Sequence, residues 1–425
     1  MKKKVLLLLY YWPPAGGPGV QRWIFFVRYM RDFGVEPVLF LPDNPHYPLQ
    51  DPKLKEELPQ NLIIYKSEFW EPYKVSSLFG KQKTKRLSSG IIHRKKAGII
   101  ERMLLWVRGN LFIPDARKFW IKPAVKALPD ILKAEGIDTI ITSGPPHSLH
   151  LIGLELKKVF PVRWIADFRD PWTAIGYMDA LFPGKRAMRK HISLEREVLQ
   201  SADAIITTSE HTRQAFQKIT TKPISVITNG YNTEPGTGAQ PSGKFVLAHI
   251  GSLLSDRNPE GLWLALRELC TRYPEFKRDL QLEFTGVISQ EILQQLADYG
   301  LDELTYTRPY VPHQEALLLQ RNAQILLLIE IDAPRTAGIL PGKIFEYLAA
   351  KRPILAVGPA GWEATQLIAA TDSGRGFSND QIQEICDCIW EWYGKYQKQE
   401  LIGRPRGFEQ YHRKSLTERL VKEVL

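Results

Sequence analysis

Runs of consecutive apolar residues alternate along the chain with segments in which apolar residues recur every three or four positions. In the first half, this pattern predicts strands over residues 5–11, 38–41, 62–65, 139–142, 163–167 and 204–208, and helices over residues 19–33, 124–135, 150–159 and 195–202. In the second half, it predicts strands over 245–250, 280–285, 304–307, 324–329 and 353–357, and helices over 259–272, 290–299 and 343–350. Strands that are apolar along their whole length and alternate with helices predict parallel sheets covered on both faces.

A segment rich in glycine, proline, serine and threonine separates the two halves. It covers residues 233–243, and this composition is typical of a linker. A chain of 425 residues is also too long for one ordinary hydrophobic core. We therefore predict an α/β protein of two doubly wound domains, residues 1–235 and residues 236–406. Ligands of such sheets bind at the carboxyl ends of the strands, so the site is expected in a cleft between the domains.

Residues 66–120 interrupt the alternation and are rich in aromatic and basic side chains, in a chain whose net charge is +11. One interpretation is a solvated insertion in the first domain. The other is a basic, amphipathic surface that lies on an anionic membrane. Nucleic-acid binding is a weaker third interpretation, because no nucleic-acid motif accompanies the charge, and we predict no nucleic-acid partner.

The amino-terminal apolar run follows three lysines but is short, and Pro13 and Pro14 follow it without a small-residue cleavage site. We interpret it as a buried first strand rather than a signal peptide. No apolar stretch reaches the ~18 residues that a membrane-spanning helix needs. The odd number of cysteines, three, fits a reducing compartment. These features predict a cytoplasmic protein, with a peripheral position at the inner face of the plasma membrane as a further expectation.

In the first half, candidate chemistry follows the predicted strands. Gly16 and Gly17 come after the first strand and before a helix, where glycine lets backbone N–H groups approach an anion. A tight strand-to-helix turn explains these glycines nearly as well. The candidate catalytic residues lie at two later strand ends: His147, a possible general base, and the group Asp167, Arg169 and Asp170. A structural ion-pair network is an equal alternative for the two carboxylates and the arginine.

In the second half, Arg257 lies on a loop after a strand, where a guanidinium can bind a diphosphate through two hydrogen bonds. A second loop leads into a predicted helix that carries Lys343 and Glu346. The backbone amides of this loop and the Lys343 cation suit a diphosphate, and Glu346 can accept hydrogen bonds from a ribose diol. The loop consists of Gly338, Ile339, Leu340, Pro341 and Gly342.

Taken in order, these segments resemble glycosyltransferase family 4 of the GT-B fold, in particular bacterial enzymes of surface-polysaccharide assembly. The matching pieces are the Gly16-Gly17 loop, the strand end 167–172, the turn 228–231, the loop 251–259 and the segment 341–348 with 351–356 after it. The resemblance spans both domains. It implies two Rossmann-like domains that face a central cleft, with an acceptor bound by the first and a nucleotide sugar held mainly by the second. It also implies that residues 407–425 cross back to the first domain.

The resemblance also implies roles for individual residues. Gly17 matches the glycine that adjoins the donor phosphates, Lys343 with the amides from Gly338 to Gly342 matches the diphosphate site, and Glu346 matches the ribose-binding second Glu of the family's E-x7-E element. The backbone at Tyr310 and Val311 would hold the base.

Two departures from the family's pattern concern the donor. Gly338 stands where the first Glu of the element is expected. Ser252 and Asn258 replace the family's Arg and Lys on the loop after the first strand of the second domain. Diphosphate binding would therefore depend more on Arg257 and Lys343.

The expected activity is transfer of a sugar from a UDP- or GDP-sugar to a hydroxyl of a glycan or lipid-linked acceptor, with retained anomeric configuration. Because no Asp-x-Asp motif occurs, we expect no metal and no other cofactor. Two alternatives remain: a catalytically inactive protein that binds nucleotide sugars or acts as a scaffold, and a GT-B sugar-nucleotide epimerase.

Overall fold

The polypeptide folds around two parallel β-sheets, one in each of two compact units. The computed structural model describes residues 3–43, 45–47, 49–71, 99–174, 178–233 and 243–425. Residues 72–98 of the predicted insertion and most of the predicted linker lie outside the described residues. The first unit comprises Met1–Asn229 with Arg413–Leu425, and the second comprises Gly230–His412. The sequence pattern instead places the boundaries at residues 235 and 407.

Within the described residues, the first unit has a seven-stranded parallel sheet in the order β3-β2-β1-β4-β5-β6-β7. Apolar strands with helices on both faces explain why most of these strands are buried along nearly their whole length. The strands are β1 (Lys3–Leu8), β2 (Val35–Pro42), β3 (Ile63–Ser67), β4 (Thr139–Gly144), β5 (Arg163–Phe168), β6 (Ala204–Thr207) and β7 (Ile224–Val226). The helices are α1 (Pro18–Met30), α2 (Ile99–Leu111), α3 (Ile121–Glu135), α4 (Ser148–Val159), α5 (Lys185–Ser201) and α6 (Glu210–Gln217).

The last helix of the chain, α14 (Arg413–Val424), also packs in the first unit, against α1. Its side chains Leu416, Leu420 and Val424 are buried in the same cluster as the α1 side chains Ile24 and Val27. Burial of each such side chain contributes about 1.5–3 kcal/mol, so this helix is an integral part of the first core.

The second unit repeats the architecture with a six-stranded parallel sheet, counted over the described residues, in the order β10-β9-β8-β11-β12-β13. Its strands are β8 (Phe245–Ile250), β9 (Leu280–Thr285), β10 (Thr305–Arg308), β11 (Ile325–Ile329), β12 (Ile354–Val357) and β13 (Gly374–Phe377). Its helices are α7 (Glu260–Arg272), α8 (Pro274–Asp279), α9 (Gln290–Asp298), α10 (His313–Asn322), α11 (Lys343–Ala350), α12 (Glu363–Ala370) and α13 (Ile382–Gln397). Two buried clusters cover the two faces of this sheet.

Most predicted elements are present, and the differences have local causes. The first strand ends at Leu8 rather than at residue 11. Helix α5 begins at Lys185, ten residues before the predicted start at 195, because its buried face includes polar residues such as His191 and Glu195, which hide the apolar spacing. The short strands β7 and β13 were not predicted. In β7 every residue is only partly buried, and β13 carries two glycines and an arginine.

Candidate active site

In the second unit, two neighbouring strands are each followed by a glycine whose backbone conformation would strain any other residue. Gly251 follows β8 and Gly286 follows β9, with φ angles of 126° and 117°. Residues that carry a side chain rarely adopt such positive φ angles. A Cβ atom added to Gly251 would also lie 2.8 Å from Nζ of Lys343. The backbone at the end of β8 therefore passes directly beside the Lys343 amine.

Lys343, the first residue of α11, is partly buried and contacts a buried histidine. Its Nζ lies 3.2 Å from Nε2 of His249, whose Nδ1 lies 3.1 Å from the backbone oxygen of Leu327. Since a carbonyl oxygen only accepts, Nδ1 carries the ring proton and Nε2 accepts a hydrogen bond from Lys343. Burial, and secondarily the Arg257 cation, lowers the pKa of Lys343 to about 7. This amine is thus held in place and ready to bind an anion.

Arg257 forms a two-point ion pair with Glu330, the residue after β11. Nε of Arg257 donates to Oε1 of Glu330 at 2.9 Å, and Nη2 lies 3.3 Å from Oε2. The Glu330 side chain is 1% exposed, whereas that of Arg257 is 36% exposed. The pair fixes the guanidinium plane, and Nη1 is directed to neither carboxylate oxygen. Arg257, predicted as a diphosphate ligand, is therefore oriented by a carboxylate that the sequence pattern did not indicate.

The loop before α11 is fixed by hydrogen bonds to its carbonyl groups, while several of its amides remain available. The Trp362 indole donates to the Ile339 oxygen at 2.6 Å, and the Glu363 amide donates to the Ala337 oxygen at 2.8 Å. Within the described residues, no hydrogen bond engages the amides of Gly338, Leu340 and Gly342. Because these N–H groups precede a helix start, they favour a negatively charged ligand.

One turn into α11, Glu346 is held by two side chains of α10. Nε2 of His313 lies 2.9 Å from Oε1, and the Gln320 amide donates to Oε2 at 3.0 Å. These two contacts fix the orientation of the carboxylate, whose oxygens act only as acceptors when ionised. Tyr310 and Val311 lie in the loop between β10 and α10, directly before His313. Tyr310 and Val311, predicted to hold the base, thus lie close in sequence to His313, which contacts the predicted ribose ligand Glu346.

In the first unit, the Gly16-Gly17 loop connects the segment after β1 to the start of α1. Gly17 has a φ of 109° and its carbonyl oxygen accepts from the amides of Val20 and Gln21. A Cβ atom added to Gly19, in the first turn of α1, would lie 1.5 Å from Nη1 of Arg169. The Arg169 guanidinium therefore lies against the backbone of the first turn of α1.

Asp167, predicted as catalytic, is completely buried and fully engaged. Its Oδ2 accepts from the Ser143 hydroxyl at 2.7 Å and from the Trp23 indole at 3.2 Å. Its Oδ1 lies 3.3 Å from Nη2 of Arg22. The same guanidinium donates through Nη2 to the Ile227 oxygen and through Nη1 to the Thr228 oxygen. This carboxylate ties α1, β4 and the segment after β7 together. The geometry favours the alternative of a structural ion-pair network for Asp167.

Arg169 and Asp170, the other candidate residues at this strand end, make no direct bond to Asp167 among the described residues. Arg169 donates through Nε to the Gly144 oxygen at 3.2 Å and through Nη2 to the Pro145 oxygen. Asp170 is exposed. Among the described residues, no hydrogen bond or ion pair joins Asp167, Arg169 and Asp170 directly. Desolvation raises the pKa of Asp170, and the charges of Arg169 and Asp167 also act on it, in opposite directions. Their catalytic role stays a prediction, and Asp170 is the exposed one of the two carboxylates.

His147 is 5% exposed and lies among aromatic rings. Its ring is parallel to that of Trp172, with centroids 5.1 Å apart, and lies 5.8 Å from that of His150. Burial, followed by the neighbouring His150 and Arg169, lowers the pKa of His147 well below its usual value. A ring that is neutral at pH 7 retains a nitrogen that can accept a proton, but its described contacts are with rings and not with a carboxylate.

The sequence pattern missed the residues that orient the predicted ones. These are His249 beside Lys343, Glu330 beside Arg257, and the pair His313 and Gln320 beside Glu346. The one available signal was position, because His249 and Glu330 stand in or directly after the apolar strands β8 and β11, where a polar side chain needs a partner. Over the described residues, no group of three or more histidine, cysteine, aspartate or glutamate side chains is arranged to hold a metal ion.

Part of the chain matches a known protein family. Residues 91–235 match the family model of Glycosyltransferase Family 4. No curated protein matches the sequence. Over the described residues, no helix has the length and apolar character needed to cross a bilayer.

Solved structures share the fold of the whole chain at low sequence identity. Sucrose-phosphate synthase from Thermosynechococcus elongatus matches with a TM-score of 0.60 at 13% identity, covering 99% of this chain and 98% of that one. A variant of S. aureus TarM in complex with Fondaparinux, alpha-GlcNAc-glycerol and UDP matches with a TM-score of 0.57 at 11% identity, covering 99% of both chains. The apo form of the lipopolysaccharide outer core galactosyltransferase WaaB matches with a TM-score of 0.56 at 13% identity over the full length of both.

These matches confirm the predicted resemblance to glycosyltransferase family 4 and the predicted GT-B architecture of two Rossmann-like domains. The whole chain thus has the fold of these glycosyltransferases, and residues 91–235 resemble the family in sequence. The family model covers residues 91–229 of the first unit and only the first six residues of the second, whereas the candidate donor residues lie further along the second unit.

Proposed function

We propose that the chain transfers a sugar from a nucleotide-sugar donor, such as a UDP- or GDP-sugar, to a hydroxyl group of a glycan or lipid-linked acceptor. The observation that carries this proposal is the arrangement at the start of α11. A buried histidine positions the amine of Lys343, the residue that directly follows the loop with unengaged amides, and Glu346 follows one turn later. A cation and free amides suit a diphosphate, and a carboxylate one helical turn away suits a ribose diol.

In this proposal, Lys343 and the amides of Gly338, Leu340 and Gly342 stabilise the negative charge that develops on the leaving diphosphate. Arg257 adds a second cation, held in orientation by Glu330. These groups supply charge stabilisation without a metal ion or another cofactor. We expect retention of the anomeric configuration, as the family resemblance implies.

A second candidate function is binding of a nucleotide sugar without turnover. It is favoured by Gly338, which places no carboxylate where the family's first Glu contacts the donor sugar, and by Ser252, which removes a cation from the loop after β8. The oriented Lys343 and the Arg257–Glu330 pair retain a diphosphate site in either case. The two functions therefore differ in transfer and not in donor binding.

For the acceptor, the similar structures support a place in surface-glycan assembly. One was solved with a GlcNAc-glycerol compound and UDP, and another is a galactosyltransferase of the lipopolysaccharide outer core. We extend these chemistries to this chain as a proposal. An acceptor carried on a lipid would require the enzyme to work at the inner face of the plasma membrane.

The test combines donor binding and turnover. Purified protein is screened by thermal shift against UDP-, GDP-, dTDP- and ADP-sugars, and the stabilising donor is then incubated with glycan and lipid-linked acceptors. Lys343→Met and Glu346→Gln should reduce the stabilisation at a given donor concentration, whereas Lys398→Met, at an exposed lysine of the same unit, should not. Donor binding without transfer or donor hydrolysis would favour the inactive binder. Absence of any shift would contradict both functions.

A further inference from the structure

Helix α2 exposes its apolar side chains to solvent. Met103, Leu104, Trp106 and Leu111 are 59%, 43%, 48% and 58% exposed, respectively. Met103, Trp106, Val107 and Leu111 recur at the spacing of one helical face. Such a stripe normally faces the core, and here it faces outward.

The opposite side of α2 is a narrow contact with the rest of the unit. Leu105 is 2% exposed. A Cβ atom added to Gly109 would lie 2.3 Å from the backbone oxygen of Leu181, so the helix backbone packs directly on the short helical segment Met178–Leu181. Leu105 and Gly109, four residues apart, define the inward side. The exposed apolar stripe is therefore fixed in orientation by packing.

Basic side chains adjoin the carboxyl end of this stripe. Asn110 accepts from the Gly184 amide at 2.7 Å and donates to the Phe182 oxygen at 3.0 Å, which holds the start of α5 against the end of α2. The first six residues of α5 include four exposed basic side chains and no acidic one. These basic residues are Lys185, Arg186, Arg189 and Lys190.

A further cation and an exposed aromatic residue extend the same surface. Lys118 donates to the Leu111 oxygen at 2.7 Å and lies 5.4 Å from the centroids of Phe112 and Phe119. Trp70 is 57% exposed and packs edge-on against Phe119 at 4.6 Å. A tryptophan with a polar N–H and an apolar body suits the boundary between headgroups and acyl chains.

From this arrangement we propose that the outward stripe of α2, together with the basic amino-terminal turns of α5, binds the surface of an anionic lipid bilayer. The apolar side chains would enter the headgroup–acyl boundary, and the lysines and arginines would contact anionic headgroups. A protein partner fits this surface less well, because lysine is depleted at protein–protein interfaces whereas it adjoins the stripe here. The sequence indicated residues 66–120 for such a role, and the structure adds α5 and narrows the apolar part to α2.

The test is sedimentation of the full chain with vesicles, which needs neither donor nor acceptor and so can fail while glycosyl transfer holds. Vesicles contain equal parts of phosphatidylcholine and phosphatidylglycerol, and pure phosphatidylcholine serves for comparison. We expect binding to the anionic vesicles that weakens with added salt. Two double variants, Trp106→Ser with Leu111→Ser and Lys185→Glu with Arg186→Glu, should each weaken binding by at least about tenfold.

The matched controls lie on the second unit. Ile402→Ser removes an exposed apolar side chain and Lys398→Glu reverses an exposed charge, and neither should change sedimentation. Thermal unfolding of every variant checks that the fold is intact. Failure of the wild type to sediment at low salt, or equal sedimentation of wild type and both double variants, would overturn the proposal. A concentration-dependent dimer that Trp106→Ser with Leu111→Ser abolishes, without vesicle binding, would assign the surface to a protein partner instead.

Discussion

The pH dependence of donor binding should report on Lys343, whose pKa is lowered to about 7 by burial and by Arg257. If only the protonated amine binds the diphosphate, affinity falls as pH rises above this value. From pH 7 to pH 9 the protonated fraction falls from about one half to about one hundredth, so the Kd of the nucleotide sugar should rise by about 50-fold. The diphosphate of a nucleotide sugar is a diester and keeps its charge over this range.

Folding should respond to the same proton with the opposite sign. The folded-state pKa of Lys343 is about 7, below the value of 10.5 for an unperturbed lysine. Between these values the unfolded chain binds the proton and the folded chain does not, so this residue's contribution to the free energy of unfolding increases with pH. Below pH 7 both states are protonated, and burial of the charged amine destabilises the fold.

The assay is calorimetric or fluorescence titration of a nucleotide sugar at several pH values, alongside thermal unfolding of the ligand-free protein. Lys343→Met should lose the pH dependence of both measurements and bind the donor about 10–100-fold more weakly at pH 7. Lys398→Met should keep the wild-type profiles. A wild-type Kd that is the same at pH 7 and pH 9, or a Lys343→Met variant that retains the wild-type slope, would refute the reasoning.

Three further predictions concern the other candidate residues. Asp167→Asn should lower the melting temperature by roughly 10 °C because it leaves Arg22 buried without its counter-charge, whereas Asp130→Asn at an exposed position should not; equal melting temperatures would contradict the structural role. Gly19→Ala should displace the Arg169 guanidinium, so its loss of turnover should match that of Arg169→Ala and should not add to it in the double variant; additive losses would show that the two act separately. Glu346→Gln should raise the KM for the donor by about tenfold, since an uncharged amide accepts the ribose hydroxyls less well, while Glu315→Gln on the exposed side of α10 should leave it unchanged.

The sequence pattern predicted the order of the elements because apolar runs and helical spacing are local properties. Strands β8 and β9 and helix α11 have the predicted bounds. The same locality explains why the candidate residues were found at strand ends, as with Arg257 after β8 and Asp170 after β5. It also explains the misses. A strand of three partly buried residues such as β7 has too few positions for a period to show.

The direction in which a polar side chain points depends on partners far away in the chain. Asp167 is buried because Trp23 and Arg22, more than 140 residues earlier, reach it from α1. His249 and Glu330 can be recognised as positioning residues only because Lys343 and Arg257, on other elements, contact them in the folded structure. A single sequence does not contain such pairings in any local pattern.

By itself, the sequence determined the alternating parallel-sheet architecture, the position of the loops at strand ends, and the residues suited to a diphosphate and a ribose. The tertiary structure decided that the segment completing the first unit begins at Arg413, that Asp167 faces inward, and that the apolar stripe of α2 faces outward. The physical reason is that periodicity shows that a helix has an apolar face, but only packing decides which face is covered. For α2 the covered face is the one that carries Gly109, where the absence of a side chain lets the backbone of Leu181 pack closely.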